Sequence, residues 1–311
     1  MALTIVFAAL LAAAIGYIWQ WRSRLRAPFK SIPGPTGLPV LGNTLEIVTK
    51  NSVELFRLLL ECEEKFGPVF KIDVMSGVWL FYASAEIVER IMTGSEFNCK
   101  SDDYDMLVEW LGTGLLISNG NKWFTHRKAL TPAFHFKILE NYVQVFDVKS
   151  TILAEKFLKQ PGQTVKVFPM VKLCTLDVIV ETAMGTTSEA QTKESTYTSA
   201  VEDIASIVFW RMFNVVYNME FFFKLSKLYE PYKKYLKTIH EYTLSIIAKR
   251  RQALESTKQS EVHDADDVGT RTKKALLDIL LQTNIDGRPL TNEEIREEVD
   301  TFMFAVSIDI F

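Results

Sequence analysis

The clearest periodic pattern in this 311-residue chain lies near its end. Ile295, Val299, Phe302 and Met303 recur at i, i+4, i+7 and i+8, which predicts one apolar face of a helix. Thr291, with Glu294 three residues on, predicts a capping box at its start. Ala305 to Phe311 then follow with no Gly or Asn cap, no terminal cation and no polar exit. A helix this apolar is expected to cross a domain interior and to end there with its last carbonyls unpaired.

Earlier segments read in the same way. Residues 52–66 have helical spacing and stop at Gly67-Pro68. Val69–Val74 and Val78–Ala83 alternate around Ser76-Gly77, which predicts a hairpin. Helical spacing returns over 84–93 and 102–111, then over 119–131, 136–159, 168–185, 193–213, 226–255 and 272–283. The tract 256–271 is polar and aperiodic and reads as a surface loop. The body is mainly α with a small β element near its start.

Residues 1–21 carry no charged side chain, enough helix to reach roughly 30 Å, one hydrocarbon core. Arg22, Arg24, Arg26 and Lys30 follow, and no charge precedes the run. The pattern predicts a retained signal-anchor with the body on the cytosolic side; a cleaved leader fits less well, because the basic n-region is missing. Residues 32–43 hold three prolines and three glycines and exclude helix or central strand. They read as a stiff arm, either a linker or a hinge that orients the body.

Composition changes this picture little. Apolar residues make up 48%, charged residues 23%, and the net charge of −3 gives no sign of nucleic-acid binding. Cys62, Cys99 and Cys174 are odd in number and widely spaced, as expected for a reducing compartment. His126, His135, His240 and His263 show no metal-ligand spacing, so solvated or structural roles are expected. No sequon for N-glycosylation occurs.

Candidate chemistry is sparse. The common nucleotide, zinc-protease and nucleophile-elbow motifs are absent. Glu293, Glu294, Glu297, Glu298 and Asp300 form an acidic run that reads as a solvated helix face. Phe209, Trp210, Phe213 and Phe221 to Phe223 read as core, with a membrane-dipping surface or an apolar channel wall as alternatives. Trp123 and Arg127 stand at i, i+4 on one face. An indole N–H and an arginine fork pointing together suit an anionic ligand; a half-buried Trp beside a snorkelling Arg is the plainer reading.

The order of these pieces resembles the first part of a microsomal cytochrome P-450, most like family 4. The resemblance rests on Pro33-Gly-Pro-Thr-Gly-Leu-Pro39, on Trp110-Leu-Gly-Thr-Gly-Leu-Leu116, and on Lys122-Trp123 through Arg127-Lys-Ala-Leu-Thr-Pro-Ala-Phe-His-Phe136. It also rests on Leu173-Cys-Thr-Leu-Asp-Val-Ile179, Glu181-Thr-Ala-Met-Gly185 and Glu298-Val-Asp-Thr-Phe-Met-Phe304. The resemblance implies a truncated cytochrome P-450 fold preceded by an N-terminal transmembrane helix. Its parts would be an anchor (1–21), a basic and proline-rich hinge (22–43), the N-terminal part of a monooxygenase domain (44–304) and a divergent tail (305–311). It implies haem as cofactor, with Trp123 and Arg127 on a haem propionate. It further implies the endoplasmic reticulum membrane, an NADPH-dependent reductase as partner, and oxygen insertion into an apolar small molecule such as a fatty acid.

After Phe304 the family continues Glu-Gly-His-Asp-Thr-Thr, where this chain has Ala305, Val306, Ser307, Ile308, Asp309 and Ile310. Ala305 stands where the family has a haem-esterifying Glu, and Ile308 and Asp309 where it has an acid–alcohol pair. The ExxR pair and the cysteine loop would lie beyond Phe311, and none of the three cysteines sits in a matching glycine-rich loop. The chain is therefore expected to hold no thiolate-ligated haem and to be inactive as it stands. Two alternatives are a catalytically dead, membrane-tethered interaction protein using Lys122, Arg127 and Lys128, and a part of a longer active monooxygenase.

Overall fold

In the computed structural model, Phe70, Ile72 and Val74 alternate as buried residues along one strand, and a local core is built on that strand. The structure describes residues 2–75, 77–94, 97, 99–193, 195–261, 275–285 and 287–308. The elements run α1 (Ala2–Arg26), α2 (Thr44–Val48), α3 (Ser52–Phe66), β1 (Val69–Val74), β2 (Gly77–Tyr82) and α4 (Ala85–Thr93). Next come α5 (Val108–Leu111), α6 (Gly120–Leu130), α7 (Phe136–Leu139), α8 (Val143–Leu158), α9 (Val167–Thr182) and α10 (Thr196–Phe213). The last are α11 (Val215–Asn218), α12 (Glu220–Lys224), α13 (Tyr229–Glu261), α14 (Leu276–Gln282), β3 (Asn284–Ile285), β4 (Arg288–Pro289) and α15 (Asn292–Ile308). The fold is mainly α with little β, as the periodicity predicts. It divides into two compact units, one of residues 1–98 with 209–226, the other of 99–208 with 227–311.

In the first unit, β1 and β2 pair antiparallel from Val69↔Tyr82 to Val74↔Gly77. Registered partners Phe70 and Phe81 stack with ring centroids 5.0 Å apart. α3 starts at a full capping box between Asn51 and Glu54 and buries Leu55 and Cys62 against Phe70, Ile72 and Val74. The proline-rich arm lies along this hairpin. Lys71 N–H donates to Pro33 O at 2.9 Å and Asn43 N–H to Asp73 O at 2.6 Å. Gly34 has no room for a side chain, because a Cβ there would stand 2.1 Å from Lys71 O. The arm is thus hydrogen-bonded to the hairpin of its unit.

α1 extends five residues past the uncharged run, so Arg22, Arg24 and Arg26 belong to its last turns. Arginine is a good helix former, and cations suit the negative end of the helix dipole. Thr4–Phe29 is, by length and composition, the one helix among the described residues able to cross a membrane.

The aromatic run differs from expectation. Phe213 packs on the core cluster and Phe223 is 1% exposed, yet Phe209, Trp210, Phe221 and Phe222 are 44, 40, 69 and 41% exposed. Three successive residues of a helix spread over about 200° of arc, so the five-residue α12 turns only Phe223 inward. The Arg211 guanidinium covers that ring, 3.8 Å from its centroid.

In the second unit α15 packs against α9, α13, α14 and α5, and α8 packs on α9. Ile295, Val299 and Met303 are buried as the period predicts, while Phe302 is half-buried and stacks on Phe134 at 5.5 Å. Two boundaries depart from the sequence reading. The expected helix over 136–159 is broken by a 3-10 turn at Glu140–Tyr142. α13 runs on to Glu261 through part of the tract read as a loop, since its Lys, Gln and Glu are good helix formers. The rest of that tract and His263 lie outside the described residues, as do Asp309 to Phe311.

Candidate functional site

α6 is fastened at both ends. At its start Asn119 Oδ1 accepts from Lys100 N–H at 2.7 Å; at its end Thr131 Oγ1 donates to Arg127 O at 2.7 Å, before Pro132. Two adjacent stripes run between these points. Lys122 and His126, at i and i+4, face α15. His126 Nδ1 lies 2.6 Å from Glu298 Oε1, and Lys122 Nζ lies 3.4 Å from Glu297 Oε2 and bonds Thr113 Oγ1. Trp123 and Arg127, each one position later, form the next stripe. Trp123 is half-buried and Arg127 exposed.

The acidic run is only partly solvated, contrary to expectation. The Glu293 side chain is 67% exposed, but those of Glu298 and Asp300 are fully buried and that of Glu297 is 13% exposed. Each buried carboxylate has found donors, which is the condition for burying it. Glu298 Oε2 accepts Leu115 N–H at 3.1 Å, and Thr113 Oγ1 donates to Glu297 at 3.2 Å. Asp300 takes Thr243 and Arg296, each at 2.6 Å. The turn Trp110–Leu116 is thereby pressed on α15, and Trp110 meets Phe304 edge-on at 5.0 Å. Gly112 (φ +58°) and Gly114 leave room for Glu297.

Among the described residues neither Arg127 nor the Trp123 indole has a side-chain partner, so α6 presents one free guanidinium with an indole N–H one turn away. That pair can bind a carboxylate or phosphate. Of the three cations read as a docking set, Lys122 is occupied by Glu297 and Thr113; Lys128 and Arg127 remain exposed.

Two of the three cysteines offer no ready thiolate. Burial pushes the thiols of Cys62 and Cys174 up, and Cys174 Sγ donates to Lys149 O at 3.5 Å. Cys99 is exposed. Among the described residues no group of three or more His, Cys, Asp or Glu is placed to hold a metal.

The family model for Cytochrome P450 matches residues 32–307. Among similar proteins, Cytochrome P450 4c3 of Drosophila melanogaster is 41% identical over 91% of this chain and 55% of its own length. Cytochrome P450 4d10 of Drosophila mettleri is 38% identical over 92% of this chain and 56% of its own length. Cytochrome P450 4c21 of Blattella germanica is 35% identical over 88% of this chain and 55% of its own length. The chain belongs to the cytochrome P450 family. It spans a little over half the length of these relatives.

Proposed function

We propose that the chain supplies the carboxylate-binding side of a haem site in a membrane-anchored monooxygenase, with Arg127 and Trp123 holding a haem propionate. The observation that carries this is the guanidinium of Arg127, unpartnered among the described residues, one helical turn from the free indole N–H of Trp123, on a helix whose neighbouring stripe is held by Glu297 and Glu298. A propionate fits that pair in charge and in donor count. When bound, haem supplies dioxygen chemistry that inserts one oxygen atom into an apolar substrate, of which a fatty acid is the type proposed here. The chain's own residues bind and orient the group; His126 and Lys122 hold the helix that carries the stripe. The raised thiols of Cys62 and Cys174 do not favour a thiolate, and exposed Cys99 lies in no glycine-rich loop, so this chain is not expected to ligate iron through sulfur or to turn over alone.

The proposed setting is the endoplasmic reticulum membrane, with α1 as the anchor over 1–21, the basic and proline-rich 22–43 as hinge, and the body on the cytosolic side beside an NADPH-dependent reductase. The apolar Thr4–Phe29 helix supports the anchor. Exposed Phe209, Trp210, Phe221 and Phe222, in the same unit as α1, support a membrane-facing surface.

The test is hemin addition to the 311-residue chain in membranes, followed by the carbon monoxide difference spectrum of the reduced sample. Saturable hemin uptake that weakens in Arg127→Ala, without the red-shifted Soret band of a thiolate complex, is expected. A thiolate-type band, or uptake indifferent to Arg127→Ala, would overturn the proposal.

A further inference from the structure

His126 and Glu298 lie outside the stripe assigned to the carboxylate, yet they are the most buried polar contact on α6. His126 is 5% exposed and Glu298 is fully buried. Their 2.6 Å contact joins residues 172 positions apart in the chain. Glu298 uses its second oxygen on Leu115 N–H, at 3.1 Å, so one carboxylate ties α15 at once to α6 and to the Trp110–Leu116 turn. Lys122, one turn before His126, reaches the neighbouring carboxylate Glu297. Two successive acidic residues of α15 therefore grip two residues of α6 spaced by one turn.

Such a grip fixes the rotation of a helix about its own axis. Successive residues point about 100° apart, so a slip of one residue would turn Arg127 into the place of His126. Ordinary apolar packing resists such a slip weakly on α6, because Leu130 is its one buried apolar side chain. We propose that His126 and Glu298 are a positioning pair: they set the azimuth of α6 and so aim Trp123 and Arg127 at their anionic ligand. The inference rests on the reading of Trp123 and Arg127 as a haem-propionate site. It assigns His126 no contact with the ligand.

A double-mutant cycle separates positioning from general damage. Hemin is titrated into the membrane-held chain and its affinity read from tryptophan fluorescence quenching, for wild type, His126→Phe, His126→Gln, Arg127→Ala and His126→Phe with Arg127→Ala. His126→Phe is expected to weaken binding roughly tenfold, the low end of what losing an orienting partner costs a metal site. His126→Gln, which keeps a donor for Glu298, is expected to restore most of the loss. In the Arg127→Ala background His126→Phe is expected to cost much less than in wild type, because only Trp123 is left to aim. Equal losses in both backgrounds, or no effect of His126→Phe where Arg127→Ala is damaging, would overturn the positioning role alone. If Arg127→Ala leaves affinity unchanged, or wild type shows no saturable binding, the propionate reading fails and the inference falls with it.

Discussion

Thr243 donates its hydroxyl to Asp300 Oδ1 across 2.6 Å, joining α13 to α15 at a point where both residues are buried. Arg296 Nη1 reaches the other oxygen at 2.6 Å, and His240 Nε2 stands 3.8 Å from it. Burial nevertheless dominates: it pushes the Asp300 carboxyl from 3.8 to about 7, against the pull of Thr243 and Arg296 and with a small push from Glu293. The unfolded chain releases this proton near its ordinary value, and the folded chain keeps it until about 7. The stabilisation is therefore complete below the unfolded value and is lost as pH rises through the folded one. Relative to Asp300→Asn, the wild-type chain should lose stability from about pH 4 to about pH 7, on the order of a few kcal/mol. His240, whose pKa burial lowers, works in the opposite sense, since its contribution is lost as pH falls below 6.5. It stands 3.8 Å from Asp300 and is coupled to it, so the two chains are compared in a His240→Gln background, where the difference between their unfolding midpoints isolates Asp300. Parallel curves across that window would refute the assignment.

Gly114 tests the seat of α15 on the Trp110–Leu116 turn. A Cβ there would stand 2.6 Å from both Glu297 O and Thr301 Oγ1, one of them backbone that cannot swing aside. Gly114→Ala should cost about 1–3 kcal/mol by overpacking. Gly77→Ala is the matched control, because nothing lies within 4 Å of its added Cβ and its φ is not positive. Chemical denaturation of both variants should separate them, and equal midpoints would mean that α15 is not seated this tightly.

Local signals were legible and distant ones were not. The hairpin, α3 and the start of α15 all follow from residues within a few positions of each other. Thr291 and Glu294 do form the reciprocal cap read from their spacing: Glu294 N–H donates to Thr291 Oγ1 at 3.2 Å and Thr291 N–H to Glu294 Oε2 at 2.8 Å. Burial of Glu298 was illegible, because its partner His126 is 172 positions away and nothing on α15 alone announces it. The exposure of Phe221 and Phe222 was missed for a different reason. Hydrophobicity alone predicts core, while the shortness of α12 leaves no second face to bury them. Of the proposed site, the sequence shows the Trp123–Arg127 stripe as an i, i+4 pair; it does not show the clamp beside it.

The capping box makes its own prediction. Arg288 grips Glu294 with two bonds of 2.8 and 2.6 Å, and with the Thr291 N–H it holds the carboxyl at about 2. A depressed carboxyl stabilises the fold above its unfolded value of 4.5, and that contribution is lost as pH falls through about 2. Glu294→Ala should therefore cost about 1 kcal/mol near neutrality, mostly the cap, since the Arg288 side chain is 55% exposed and its ion pair is screened. The cost should shrink toward nothing in strong acid. A penalty as large at about pH 2 as at neutrality would show that Glu294 acts through packing and not through its charge and hydrogen bonds.

Asp73 decides whether the arm after α1 is a hinge of fixed angle. Its carboxylate takes Arg22 Nη2 at 2.6 Å and forms an ion pair with Arg26, and Arg22 is 1% exposed with a second bond to Met75 O at 3.0 Å. Lys71 Nζ closes the same corner on Phe29 O. Two arginines from the end of α1 are thus bound by one acid on β1, and Gly42 (φ +59°) fits under Asp73 O where a Cβ would come within 2.1 Å. Removing the acid leaves a buried guanidinium without its counter-charge, a loss of about 3–5 kcal/mol for such a pair. Asp73→Ala should free the end of α1 and the arm, read as much faster tryptic cleavage after Arg22, Arg26 and Lys30 in the membrane-held chain. Arg24 is exposed and has no partner among the described residues, so Arg24→Ala should leave cleavage at those sites unchanged. Equal cleavage rates for wild type and Asp73→Ala would mean that the arm's stiffness comes from its prolines, and that the arginine clamp adds nothing to it.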